Sequence, residues 1–335
     1  MHAGRSYTFL EFLRWTRRPL YALILLDLAL VALYQLAGWH WLAVPWNVIF
    51  MLGTTVALIV GFKNTQTYNR LWEAQQVWAS ITSASRVWGA MTRDYVGIAE
   101  LTRRLAYRHV AWLTVLRYQM RDSKAWETTQ AAPNVEYRKH YEVPEKARAL
   151  DMELNKYVAG PERARILGAG SRATEVLNLQ GADLKQMLDA GQISTGAFAE
   201  LQRVLRDLHD QQARSERLKN YPYPRQYAII NVIFVRILCV LLPLGMIDLF
   251  APLDDVVGGA MVGHMVWLAV PLSVLVSWMY ASLDQVGENS ANPFEGGAND
   301  IPISQICVSL EMDLRQLLDE RDVPVAPVSA SPILL

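Results

Sequence analysis

Cysteine is scarce in this 335-residue chain, which holds only Cys239 and Cys307. One lies in an apolar run and the other in a polar tail, so neither a disulfide framework nor a CxxC metal site is available. Charge of one sign is missing too: 32 Lys and Arg stand against 32 Asp and Glu. The basic residues are scattered without an aromatic stacking motif beside them, which removes the basis for a nucleic-acid partner. HExxH, GxSxG and a phosphate loop are absent, and the six histidines (His2, His40, His109, His140, His209, His264) lie far apart. His264, on an apolar run, reads as a hydrogen-bonding residue between helices rather than a ligand. No enzymatic activity, cofactor or metal is therefore expected. Strand-type alternation and internal repeats are lacking as well, so the fold class is all-α.

Apolar residues are what the chain has in excess. They make up 52% of it against 19% charged residues, and the mean hydropathy is +0.11. Eleven Trp and fourteen Tyr add rings that favour a membrane–water interface. Four runs approach the ~20 residues needed to cross a ~30 Å hydrocarbon layer: residues 20–37, 41–62, 226–250 and 259–283. The second carries no formal charge over 22 residues. Asp27 interrupts the first, and Arg236 and Asp248 interrupt the third. A charge in lipid is costly, so each should face protein or water.

Lys and Arg set the orientation. Arg14, Arg17 and Arg18 precede the first run, Lys63 and Arg70 follow the second, and Lys219 and Arg225 precede the third. The connections "GWHW" and "APLDDVVGG" hold neither residue. The expectation is a multi-pass protein of the cell inner (plasma) membrane, with two outer hairpins and both termini cytoplasmic. The first apolar run is too long for a cleaved signal and lacks a small-residue cleavage site.

The chain reads as one domain, 1–335, with a cytosolic helical region at 63–225 and a cytosolic C-terminal segment at 284–320. Helical spacing predicts helices at 66–92, 101–118, 172–189 and 195–218, the last capped by Ser194 or Thr195. Turns are expected around Pro133, Pro144 and Pro161. Residues 284–306 read as irregular, 309–320 as a short helix, and 321–335 as a disordered Pro/Ser/Ala tail.

Residues 61–86, "GFKNTQTYNRLWEAQQVWASITSASR", continue a helix out of the uncharged run without any turn residue. Thr54, Leu58 and Phe62 fall at i, i+4 and i+8, on one face. In a ring of identical subunits they would form stacked collars able to gate by dewetting. Small residues at Gly53, Thr54, Thr55, Ala57 and Gly61 equally describe a helix-packing stripe, the plainer reading from spacing alone.

The residues themselves shift that balance. Gly61, Phe62, Lys63, Asn64, Tyr68, Arg70, Glu73, Ala74, Trp78, Ser85 and Arg86 resemble a signature segment of the bestrophin family. "YPYPRQY" leading into the third run with "LLP" following, and "ENSANPFEGGANDIPI" after the fourth, resemble two further family elements in the same order. The resemblance covers nearly the whole chain. It implies a homopentamer in the lipid bilayer with four membrane helices per subunit, a large helical cytosolic domain and a central pore for monovalent ions. Chloride or other anions are slightly favoured; a sodium-conducting channel and a non-conducting membrane scaffold are the alternatives.

By the same resemblance Thr54, Leu58 and Phe62 occupy the pore neck, where Thr54 departs from an apolar norm. A cytosolic aperture is expected near Gly196, with Ile193 close by; Gly196 departs from the branched residue usual there. Lys63 and Arg70 are expected to pair with Glu73 or with lipid headgroups. Animal members carry an acidic calcium clasp after the Asn-Pro-Phe element. Here the loop offers Asn292, Pro293, Phe294, Glu295 and Asp300, too few carboxylates for the six to eight oxygens, roughly, of a calcium cage. Calcium gating is not expected, and Glu295 and Asp300 read as parts of a capped, solvated turn.

Overall fold

The computed structural model describes residues 2, 4, 7–259, 262–321 and 333–335. Among them the chain is helical apart from turns, and its one extended pairing is an isolated antiparallel bridge between His2 and Ile333. Twelve α-helices run in order: α1 (Phe9–Leu36), α2 (Trp46–Val96), α3 (Ala99–Arg121), α4 (Ala132–Tyr137), α5 (Pro144–Ala147), α6 (Leu150–Leu154), α7 (Gly160–Gly168), α8 (Arg172–Asp189), α9 (Thr195–Asn220), α10 (Arg225–Phe250), α11 (Ala269–Ser290) and α12 (Ile303–Leu317). Helices α1, α2, α10 and α11 contain stretches long and apolar enough to cross a membrane.

The chain divides into two compact units. The apolar one comprises residues 5–69 and 223–291, that is α1, the first part of α2, α10 and α11. Its helices begin where capping groups allow. Thr8 and Glu11 form a capping box, so α1 starts at Phe9, well ahead of its apolar run. α2 starts directly after Pro45, and the free amide of Trp46 donates to Asp248 Oδ2 at 3.0 Å. Asp248, one of the charges found in an apolar run, thus serves as a cap brought from another helix. Asp27 is fully buried and accepts a hydrogen bond from the Ser273 hydroxyl. Arg236, by contrast, is exposed in the middle of α10.

The fourth apolar run differs from its expected bounds of 259–283. Gly259 and Gly263 adopt φ of +83° and +75°, and a 3-10 turn at Met265–Leu268 follows, so α11 begins only at Ala269. It then runs on to Ser290, which makes 284–290 helical rather than irregular. Asp284 and Glu288 therefore sit one turn apart on a helix face. Leu23, Ile49, Val56, Val60, Val235, Leu238 and Leu242 form the apolar unit's main core. Gly245 permits the close approach of α10 to α2, since a Cβ there would lie 2.6 Å from Ile49 Cγ1.

The polar unit comprises residues 70–222 and 292–335, with residues 1–4. α3 is its central helix, buried along nearly its whole length from Leu105 to Arg121. The remainder of α2 contributes Val77, Trp78, Ile81 and Trp88 to the same core, with α8, α9 and α12 packed around it. Buried charges on α3 are answered by name: Arg108 donates to both carboxylate oxygens of Glu162 at 2.6 and 2.9 Å and to Asp183 at 2.6 Å. α9 begins with Ser194 as its cap, its hydroxyl accepting from the Ala197 amide. The last helix starts at Ile303, six residues before the expected 309. Of the tail expected to be disordered, 322–332 lie outside the described residues. Residues 333–335 differ from that expectation: Ile333 and Leu335 are buried against Val143, and the Leu335 carbonyl accepts the Gln305 amide at 2.7 Å.

Candidate functional site

α2 is a 51-residue helix with two unlike faces. Ile49, Val56, Val60, Lys63, Thr67 and Ala74 are buried at helical spacing. On the opposite side Thr54 is exposed, Leu58 is 76% exposed and Phe62 is 53% exposed. The Thr54 hydroxyl donates to the Met51 carbonyl at 2.8 Å, which folds its polar end back onto the helix. Phe62 has one aromatic neighbour on α10, Tyr227, with ring centroids 6.5 Å apart.

The residues following Phe62 anchor this helix. Lys63 was expected at lipid headgroups or beside Glu73; instead it is 1% exposed. Its Nζ donates to Asp284 Oδ1 at 2.8 Å and to Glu288 Oε2 at 3.1 Å. The correction has a plain cause. Lys63 lies one step round the helix from Phe62, on the buried face, and a buried ammonium requires carboxylate partners. α11 supplies them because it continues to Ser290. Asn64 packs its amide oxygen where Gly287 leaves room, since a Cβ on that glycine would lie only 2.1 Å from it. Tyr68 is exposed.

Within the polar unit the remaining motif residues hold α9 and the core. Arg70 feels the charge of Glu73, as expected, and its Nη2 also donates to the Leu218 and Tyr221 carbonyls at 3.1 and 2.8 Å, closing the C-terminal end of α9 where carbonyls lack helical partners. Glu73 pairs with Arg217 of that helix. Trp78 is fully buried and packs against Phe294, centroids 6.2 Å apart. Arg86 makes a surface pair with Asp313 at 2.8 Å.

The Asn-Pro-Phe loop is not a solvated turn. Glu295 and Asp300 are 4% and 5% exposed. Asp300 accepts four hydrogen bonds: the Phe294 and Ile301 amides on Oδ1, and the Gly296 amide and Arg121 Nη1 on Oδ2, all at 2.7–2.8 Å. This carboxylate replaces the ladder that the irregular backbone lacks, and it holds Phe294 at φ +73°, a conformation rare for a bulky residue. Glu295 accepts from the Thr128 hydroxyl at 2.7 Å and the Thr128 amide at 3.0 Å. Burial raises its carboxyl to about 7; the Thr128 bonds oppose that rise, while the nearby Asp300 and Glu127 charges add to it. Asn292 donates to the Trp126 carbonyl at 3.3 Å, and Pro293 is buried behind it. Among the described residues no group of three or more His, Cys, Asp or Glu side chains is disposed to hold a metal ion.

The expected aperture residues separate. Gly196 is exposed on the first turn of α9, whereas Ile193 is 6% exposed and belongs to the core of the polar unit.

The profile of the family described as Bacterial/Fungal Bestrophin protein matches residues 13–316. The chain belongs to the bestrophin family. The voltage-dependent anion channel-forming protein YneE of Salmonella typhi is 28% identical over 309 residues, covering 90% of this chain and 86% of that protein. Its namesake in Escherichia coli (strain K12) is 27% identical over 274 residues, covering 82% and 77%. Crystal structures of a bacterial bestrophin homolog from Klebsiella pneumoniae superpose with a TM-score of 0.74 at 22% identity, one of them covering 90% of this chain and 98% of its own. At that identity the likeness establishes the fold.

Several buried pairings in this bestrophin chain emerge only from the packed helices. Asp284 and Glu288, at i and i+4 past the fourth apolar run, are the pair that Lys63 requires. Arg121 and Lys219 proved to be buried counter-ions, of Asp300 and Glu127 respectively. The signal for the first pair was present, as two acids spaced by one helical turn. The others are joined over long sequence separations that no local pattern reveals.

Proposed function

We propose that this bestrophin is one subunit of a homopentameric anion channel whose neck is lined by Thr54, Leu58 and Phe62. The observation that carries the reading is the exposed stripe on α2. An apolar helix that buries one face behind Val56 and Val60 leaves Leu58 76% exposed on the other. In a ring of copies this face turns inward, where stacked apolar collars dewet and gate. Arg236, exposed midway along α10, adds support, because a charge at that depth needs a protein or aqueous neighbour rather than lipid. Closed cyclic assembly supplies one. Gly196 marks the proposed second aperture. The protein sits in the inner membrane with both termini cytoplasmic, in keeping with the Lys and Arg flanking the apolar runs.

Anions are the proposed cargo, in line with the names of the relatives. The collars carry no charge, so selectivity rests on backbone dipoles, ring edges and vestibule charges. The test is purified protein in planar bilayers with asymmetric NaCl. Unitary currents reversing near the chloride potential support the reading; reversal near the sodium potential makes the channel cationic, and a silent bilayer refutes conduction. Mass in detergent should be about five times the 37.9 kDa chain. A monodisperse monomer or dimer refutes the ring.

A further inference from the structure

Below the proposed neck, three helices are tied in a closed circuit. Phe62 of α2 rests on Tyr227 of α10. Tyr227 is backed by Tyr223, centroids 6.3 Å apart, and Tyr223 is itself buried. One turn along the same face of α10, Asn231 Nδ2 donates to Asp284 Oδ1 of α11 at 3.0 Å. That same oxygen accepts Lys63 Nζ at 2.8 Å, and Glu288, one turn further along α11, accepts it at 3.1 Å. Lys63 is the residue next to Phe62, so the circuit returns to its start. Asn64, seated against Gly287, fixes the same register one residue on.

Stability alone does not account for this arrangement. One ammonium and two carboxylates leave a formal charge of −1, and an apolar set of similar volume often serves stability as well or better. What a buried ion cluster with fixed hydrogen bonds supplies is a unique geometry. Together with Asn64 seated against Gly287, this cluster holds the rotation of α2 against α10 and α11, and that rotation decides where the Phe62 ring points.

We infer that Lys63 is the positioning residue of the pore: through Asp284, Glu288 and Asn231 it fixes the orientation of Phe62 and so the width of the innermost collar. The inference rests on the neck reading proposed above. It makes α11 a lever on the collar, because a shift of Asp284 moves Lys63 and with it Phe62. Glu288, whose side chain is 31% exposed, is the arm of the cluster open to change.

The test compares Lys63→Met and Lys63→Arg in planar bilayers, each alone and in a Phe62→Ala background, with oligomer mass measured in parallel. Lys63→Met is expected to change open probability or unitary conductance about fivefold or more, the scale of a coupling between two sites. Lys63→Arg should restore the wild-type value, and Lys63→Met should add nothing once Phe62 is Ala. A role confined to stability would lower assembled yield equally in both backgrounds and leave the currents of assembled channels alone; that outcome, or a current change persisting in Phe62→Ala, overturns the inference. Should Lys63→Met not assemble, Asn231→Leu releases α10 from Asp284 while leaving the ion pair, and the same two outcomes apply. Fluorine NMR of 4-fluorophenylalanine at position 62 reads the ring without conduction. A resonance moved by Lys63→Met and returned by Lys63→Arg supports the clamp even if the wild type is silent and the pore reading falls. An unmoved resonance overturns it.

Discussion

Asp300→Asn removes a charge from the most heavily bonded carboxylate in the polar unit. Wild-type Asp300 accepts two amides on one oxygen, and an amide plus the Arg121 guanidinium on the other. An asparagine amide offers one acceptor, so two of these four donors face an NH₂ whichever way it flips. Arg121 suffers most, because its side chain is 1% exposed and its other partners are more distant, the Ile301 carbonyl at 3.4 Å and Glu145 Oε2 at 3.7 Å. Removing one member of a buried pair costs about 3–5 kcal/mol. Each orphaned amide would add about 1–3 kcal/mol, part of which the loop recovers by relaxing. A loss of at least about 3 kcal/mol is expected. At roughly 2–4 °C per kcal/mol for a unit of about this size, the melting temperature should fall by about 6 °C or more.

The assay is thermal unfolding in detergent at a fixed scan rate, followed by tryptophan fluorescence, because Trp78 of α2 packs against Phe294 of the affected loop. Asp313→Asn is the matched control. Its partner Arg86 is 59% exposed, and an exposed pair contributes about 0–1 kcal/mol. If the two variants melted together within about 1 °C, the view of Asp300 as the loop's organiser would be wrong.

Phe62→Ala and Leu58→Ala should each raise unitary conductance or open probability with assembly intact, and Thr54→Ala much less, since its hydroxyl is already turned to the Met51 carbonyl; unchanged single-channel currents in both would move the neck to another face. Glu295 titrates at about 7 in the fold against 4.5 unfolded, so its contribution is full below about 4.5 and is lost as pH rises through about 7, amounting to about 3 kcal/mol. Glu295→Gln should flatten that decline in a melting-temperature–pH series, and an identical slope in both proteins would contradict it. His109 works in the opposite direction: fully buried between Trp88 and Trp112, it is pushed down to about 3, so its contribution is present above about 6.5 and lost as pH falls toward 3. Removing it with His109→Gln should therefore lessen acid sensitivity in the same series. Gly245→Ala forces a methyl to 2.6 Å from Ile49 Cγ1 and should cost about 1–3 kcal/mol by thermal melting, whereas Gly53→Ala, with Leu238 3.9 Å away, should be tolerated.

The all-α class and the existence of the membrane helices were legible in composition and run length, because crossing ~30 Å of hydrocarbon needs ~20 apolar residues whatever they touch. The family was legible in the order of motifs from Gly61 to Arg86 and around Asn292, Pro293 and Phe294. Sequence also placed α8 at 172–189 and narrowed the cap of α9 to Ser194 or Thr195, of which the structure uses Ser194, both local effects of helical spacing and a side-chain oxygen. What it did not reveal was any bond joining residues far apart in the chain. Lys63 finds Asp284 because α11 continues past its apolar run to Ser290 and so carries that carboxylate on a helix face. Asp300 reads as a surface acid until Arg121 and three amides close around it. Ile193 stands three residues from Gly196 in sequence, yet its side chain turns into the core while the glycine stays outside. Local energetics fix which segments are helices; burial, which only the packed helices create, decides which of their charges must be paired and with what.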